Sequence, residues 1–271
     1  MDKTSISIIP AESAAPEHAE KLRRWKSQKL QLLSRDTFGE VLSQVFAPNT
    51  MFTTHARGYS TALMPFKVHD LMGLGAGQKT FSDDVLKIEI CGPKRDHLSV
   101  VDVPGIFKKV TEGVTTKTDI GMVRNMVTSY MKNPRSVILA VIPANVDIAT
   151  QEILDMAAEY DEKGERTLGV LTKPDLVDKG AEQNVIDLLD GKSHRLNLGW
   201  NIVRNLGQGQ LGDISADRHL NESMFFSTQS PWSKLSKDKV GVKALRSRLT
   251  DVLTEIVRRK FPNVIKNPPA P

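Results

Sequence analysis

The sequence predicts an α/β fold with a mainly parallel sheet and helices on both faces. Three observations point there. Apolar runs of strand length recur at Val85–Ile90, Leu98–Val101, Val137–Ile142, Leu168–Leu171 and Ile202-Val203. Stretches with helical spacing lie between most of them, and strands that alternate with helices pair in parallel and are covered on both faces. Two of the runs end in turn-forming segments rich in Asp, Pro and Gly, the kind of loop in which ligands gather at the carboxyl ends of parallel strands.

Ser5-Ile6-Ser7-Ile8-Ile9 alternates briefly, then stops at Pro10, which predicts a short strand almost at the first residue. From Glu17 to Leu33 apolar points fall at Leu22, Trp25, Leu30 and Leu33. From Phe38 to Phe46 they fall at Val41, Leu42 and Val45, so two surface helices are expected. Between Ala47 and Lys67 there is no usable periodicity. A structureless connection of that length is uncommon inside a compact domain, so residues 47–67 read as an insertion, either a surface loop or sequence foreign to the mature protein. Ile120–Met131 and Thr150–Tyr160, the latter with Ile153, Met156 and Ala157 on one face, supply crossover helices. Val242, Leu245, Leu249, Val252, Leu253 and Ile256 predict a last amphipathic helix, with Arg258, Arg259 and Lys260 near its end. Pro262 is expected to stop it and residues 263–271 to form a tail.

Composition excludes several classes. The 271 residues contain one cysteine, Cys91, so no internal disulfide forms, and the six histidines show no pair at metal-ligand spacing. No run reaches the roughly 18–20 apolar residues of a membrane span, and Met1-Asp2-Lys3-Thr4 lacks a signal-peptide core. A cytoplasmic protein, or one peripheral to membranes, is expected. The net charge of +5 is mild and spread along the chain. With little aromatic content and no aromatic-studded basic groove, no nucleic-acid partner is expected.

Two segments carry chemistry. In Leu168-Gly169-Val170-Leu171-Thr172-Lys173-Pro174-Asp175 a buried strand empties into a Thr-Lys-x-Asp turn. An aspartate there can accept two hydrogen bonds from the N1 and N2 donors of guanine, while adenine offers neither and leaves the carboxylate unpaired. Bidentate base contacts discriminate by about 1–3 kcal/mol. The stem of Lys173 can lie along the base plane with its ammonium in water. The same tetrapeptide also fits an ordinary strand-to-helix turn with Asp175 near a helix start. In Leu98-Ser99-Val100-Val101-Asp102-Val103-Pro104-Gly105 a second apolar run ends in Asp-x-Pro-Gly. In phosphate-binding nucleotidases an acid at such a point holds the magnesium shell, and a following glycine lets a backbone N–H approach the γ-phosphate. Alone, Asp-x-Pro-Gly is a common turn, and the Thr-Lys-x-Asp that follows in the same alternating pattern favours the nucleotide reading.

Val137–Asn145 with Asp147 and Ala149, then Gly164, Arg166-Thr167, Gly169-Val170, Thr172-Lys173, Asp178 and Gly180, resembles the dynamin superfamily of large GTPases. Phe81–Leu86, Phe225–Thr228 and Val242–Leu249 resemble its fungal dynamin-like and Mx-like branch. The resemblance implies a P-loop-GTPase-like domain over residues 1–262 that binds GTP or GDP with Mg2+, hydrolyses GTP, self-associates, and serves membrane remodelling or trafficking. It implies Asp102, Pro104 and Gly105 as the γ-phosphate switch, with Asp102 and Gly105 catalytic and Asp102 the metal ligand. It implies Thr172, Lys173 and Asp175 as the base loop and Asn205, in Val203-Arg204-Asn205, as the loop flanking the base. The family often has arginine after that asparagine, where this chain has Leu206.

The family's Gly-x-x-x-x-Gly-Lys-Ser/Thr phosphate loop and first switch threonine are expected before Ser5, so the sheet is expected to be incomplete at its N-terminal edge. The near match Gly73–Thr80 has Gln78 in place of the second glycine and follows a helix-like stretch, so it reads as a loop. Hydrolysis is accordingly expected to be impaired, since the phosphate cradle supplies much of the transition-state stabilisation. The helical stalk that drives assembly in the family is expected to be absent, and contacts with membrane or cytoskeleton to depend on it. The other open reading is a catalytically dead relative acting as an interaction scaffold.

Overall fold

The computed structural model describes residues 3–25, 71–74, 81–93, 99–103, 105–106, 115–207, 210 and 217–266. They fall in two compact units, Met1–Val127 and Thr128–Pro271.

In the first unit β1 (Lys3–Ile9) pairs antiparallel with β2 (Val85–Cys91), in a register that sets Lys3 opposite Cys91 and Ile9 opposite Val85. α1 (Pro16–Arg24) starts on a proline, whose fixed φ suits a first helical turn, and carries Lys21, Arg23 and Arg24 in its last turn, where cations complement the helix dipole. Its Leu22 packs with Ile8 and Met72 into a small core. Asp84 ties the start of β2 to the end of β1. Its buried carboxylate accepts from the Ala11 backbone N–H at 2.9 Å and from Ser82 Oγ at 2.9 Å, and lies 3.0 Å from His18 Nε2.

α2 (Lys117–Met131) leads towards the second unit. There β3 (Ile138–Pro143), β4 (Thr167–Thr172) and β5 (Trp200–Ile202) form a parallel sheet in the order β3-β4-β5. β4 is central, and Thr167 through Leu171 are all buried, the continuous apolar run of a strand covered on both faces. α3 (Glu152–Tyr160) connects β3 to β4 and α4 (Glu182–Leu189) connects β4 to β5. α5 (Arg218–Thr228) begins at Asp217, whose Oδ1 accepts from the N–H groups of His219 and Leu220, as an N-cap should. The core gathers Ile142, Leu171, Val185, Leu188, Leu189, Trp200, Ile202, Phe226 and Trp232. Arg166, buried at the start of β4, donates to the carbonyls of Ser136 at 3.2 Å, Met131 at 2.7 Å and Tyr160 at 2.5 Å.

The expected mainly parallel α/β arrangement is present in β3-β4-β5, and β1 with β2 adds an antiparallel pair in the first unit, a direction that follows from connections and not from alternation in sequence. Three other expectations change. No strand forms over residues 99–103: this stretch has no ladder partner among the described residues, and Val100 and Val101 stand 72% and 53% exposed. α6 (Gly241–Lys266) continues past Pro262. An interior proline removes its own N–H bond and crowds the carbonyl four residues back, but its φ is helical, and the helix runs on past it here. α1 ends at Arg24 with Trp25 as its C-cap. The expected helix over Phe38–Phe46, the 47–67 insertion, Pro104, most of Gly73–Thr80 and residues 267–271 lie outside the described residues.

Candidate functional site

The three parallel strands of the second unit deliver three loops to one end of the sheet. Thr172 closes β4, and its carbonyl accepts from the Ala144 N–H at 2.7 Å, just beyond β3. The Leu171 carbonyl accepts from the Val203 N–H at 2.9 Å, just beyond β5. The segment after β3 is folded back by Asp147, whose Oδ1 accepts from the Ala149 N–H at 3.0 Å. β5 is held on its other side by the Ile202 N–H donating to the Lys239 carbonyl at 2.8 Å, and by Asn201 Nδ2 donating to the Asp238 carbonyl at 3.2 Å.

Within this frame Thr172, Lys173 and Asp175 occupy the turn after β4, and Asn205 the turn after β5. Thr172 Oγ1 lies 3.4 Å from the Ile142 carbonyl, to which it donates. Lys173 adopts φ 55°, ψ 47°, a left-handed conformation that few non-glycine residues take. That reversal starts a single 3-10 turn at Pro174–Leu176, with Pro174 buried beneath it, and leaves Lys173 exposed. Asp175 sits in the turn with its side chain 27% exposed, and Asn205 is exposed.

The residue that sequence reasoning did not single out is Arg204. Its side chain is 15% exposed, and its Nε stands 3.9 Å from Asp175 Oδ1. The guanidinium lies over the Phe225 ring at 5.2 Å, a favourable cation–π distance. Its backbone N–H donates to Glu222 Oε1 at 3.0 Å, while Glu222 Oε2 accepts from the Val242 N–H at 3.0 Å. Glu222 is buried and thereby joins the turn after β5 to the first turn of α6. A lone arginine beside Asn205 was visible in the sequence, but its ion pair with Asp175 depends on β4 and β5 being neighbours.

Asp102 and Gly105 belong to the first unit, where both are exposed, and a side-chain carbon at Gly105 would meet nothing within 4 Å. Among the described residues no group of three or more His, Cys, Asp or Glu side chains gathers as a metal site. Magnesium in nucleotide sites is commonly held by one or two carboxylates together with phosphate oxygens and water, and the exposed carboxylate of Asp102 has the donor chemistry for a hydrated magnesium. The ion, when bound, would neutralise charge on the phosphates. Among the described residues, no helix is long and apolar enough to cross a membrane.

A parallel sheet whose strand ends carry a Thr-Lys-x-Asp turn and an Asn-bearing turn is of the open α/β class, in which ligands bind at the carboxyl ends of the strands. Residues 58–174 match the model of the Dynamin family, and residues 184–267 that of the Dynamin central region. The interferon-induced GTP-binding protein Mx1 of Mus musculus is 37% identical over 196 residues, covering 71% of this chain and 30% of its own. The Mx protein of Perca fluviatilis is 38% identical over 172 residues, covering 62% of this chain and 56% of its own. Mx2 of Bos taurus is 36% identical over 197 residues, covering 71% of this chain and 27% of its own. The chain belongs to the dynamin family. It spans about a third of the length of the mouse and cattle relatives it matches.

Proposed function

We propose that this chain binds guanine nucleotide through the turn Thr172–Asp175, with Asn205 flanking the base and Asp102 and Gly105 serving magnesium and the γ-phosphate, as the nucleotide-reading part of a dynamin-like GTPase. The observation that carries this reading is the arrangement at the sheet end. β4 ends in a left-handed Lys173 that starts the turn carrying Asp175, and Asp175 Oδ1 lies 3.9 Å from Nε of Arg204, the neighbour of Asn205 in the turn after β5. Ligands of open α/β sheets bind at this end of the strands, and the Mx relatives are named GTP-binding proteins. GTP hydrolysis, self-association and membrane remodelling or trafficking follow for the whole protein on the same reading. Hydrolysis depends further on a phosphate cradle of the Gly-x-x-x-x-Gly-Lys-Ser/Thr kind.

The test is equilibrium binding of a fluorescent GTP analogue to the purified chain with magnesium, alongside a thermal melt. The expected result is displacement by GTP and not by ATP. A second arm uses Asp175→Asn. An amide presents one donor and one acceptor, which matches the N1–H and C2 carbonyl of xanthine instead of the two donors of guanine. Preference should pass from guanosine to xanthosine nucleotides. A folded chain that binds neither purine, or that ATP displaces as well as GTP, overturns the proposal.

A further inference from the structure

We propose that Arg204 is a positioning residue for the base-selecting carboxylate: it holds Asp175 in the orientation in which both carboxylate oxygens meet a guanine base. The inference rests on the base-loop reading above. It starts from a mismatch in the geometry. Arg204 Nε is buried and has no hydrogen-bond partner, and the acceptor it faces, Asp175 Oδ1, stands 3.9 Å away. That separation allows charge attraction but is roughly 1 Å beyond hydrogen-bond length. A buried donor without an acceptor is unfavourable, so the state in which the Asp175 turn moves in to meet it is favoured.

The arginine itself is held in place. The Phe225 ring lies against its guanidinium, and that ring is in turn stacked on Trp232 at 6.4 Å and meets Phe226 edge-on at 5.2 Å. Its backbone N–H is fixed by the buried carboxylate of Glu222. Asp175, by contrast, sits in a single 3-10 turn. The fixed partner therefore sets the position of the less constrained one. Each carboxylate oxygen offers two lone pairs, so Oδ1 can accept from Arg204 and from a base at the same time. The guanidinium then orients the carboxylate without competing with the ligand.

The discriminating measurement is the ratio of affinities for GTP and ITP. Hypoxanthine lacks the exocyclic amine of guanine and engages only one carboxylate oxygen, so the ratio reports how well the carboxylate is aimed. Arg204→Met keeps the length and apolar stem but removes the charge and the Nε donor. In the full chain it is expected to weaken GTP binding about tenfold, within the range of a bidentate base contact, and ITP binding much less, bringing the ratio towards one. Arg204→Lys, which keeps charge without the planar donor, should give an intermediate ratio. A purely structural role would weaken both nucleotides alike and leave the ratio unchanged, and that result overturns the proposal. If Arg204→Met lowers the melting temperature below the assay temperature, Arg204→Lys decides the matter by the same ratio. Failure of the base-loop reading would appear earlier and separately, as wild-type protein that binds neither nucleotide or binds both equally.

Discussion

The indole of Trp200 on β5 lies directly over Gly169 on β4, filling the space that any side chain at residue 169 would need. The glycine is there because the ring is there, and the pair packs the centre of the parallel sheet whose far end carries the base turn. A Cβ at residue 169 would overlap Trp200 ring carbons, so either the indole or the strand must shift. Overpacking of this kind costs about 1–3 kcal/mol. Gly169→Ala should lower the unfolding free energy of the second unit by that amount, seen as an earlier denaturant midpoint. Combining it with Trp200→Leu should be less harmful than the two separate losses added together, because neighbouring substitutions in one contact couple.

Glu222 gives a second prediction. Its two carboxylate oxygens each accept one backbone N–H, from Arg204 and from Val242. The Val242 N–H is one of the donors that the start of a helix leaves unpaired, and a carboxylate there also complements the helix dipole. Glu222→Ala strands both donors, at about 1–3 kcal/mol each if they stay buried. Hydrogen exchange resolved by residue should show the Arg204 and Val242 amides losing protection first. Unchanged protection at those two amides would refute the clip.

Arg166 makes a sharper demand on side-chain shape. One planar guanidinium reaches three carbonyls, those of Ser136, Met131 and Tyr160. A lysine brings charge but cannot spread its donors across that fork. Arg166→Lys is therefore expected to destabilise the second unit by about 1–3 kcal/mol, the cost of leaving a buried acceptor unsatisfied, seen as an earlier urea transition. Equal stability of the two proteins would mean that charge alone suffices.

In the first unit Asp84 predicts the pH response. Burial raises its pKa, but the hydrogen bonds from His18, the Ala11 N–H and Ser82, with the charge of His18, outweigh that and hold it below the ordinary 3.8. A carboxyl whose folded pKa is depressed contributes stability that is present above the unfolded value and is lost as pH falls through the folded one. Acid titration of the melt should thus steepen below about pH 4. Asp84→Asn should lower stability at neutral pH and flatten that acid limb, and an unaltered limb would show that other carboxyls carry it.

How much of this was legible depends on the range over which each feature is encoded. β4 and its turn were readable because a buried run and a Thr-Lys-x-Asp tetrapeptide are local. α4 left a local signal too, in Val185, Leu188 and Leu189 at helical spacing, all buried in the core. The apolar run before Asp102 misled, since Val100 and Val101 have the residue types of a strand but no described neighbour to pair with. Strand direction in the first unit was hidden for a related reason: nothing within Ser5–Ile9 specifies that its partner Val85–Cys91 runs the other way. Pro262 shows the limit of a residue-by-residue rule, because α6 tolerates the loss of one backbone bond. The Arg204–Asp175 pair was out of reach, being created only when β4 and β5 become neighbours.

The left-handed backbone at Lys173 sets two selections against each other. Glycine takes that conformation without a Cβ penalty, whereas other residues bear roughly 1 kcal/mol or more there. A screen for heat resistance should therefore favour Lys173→Gly. On the proposed reading, a screen for guanine-nucleotide retention should reject the same change, because it removes the stem that lies along the base. Variants recovered under the two regimes would diverge at this codon, and the fold would tolerate both.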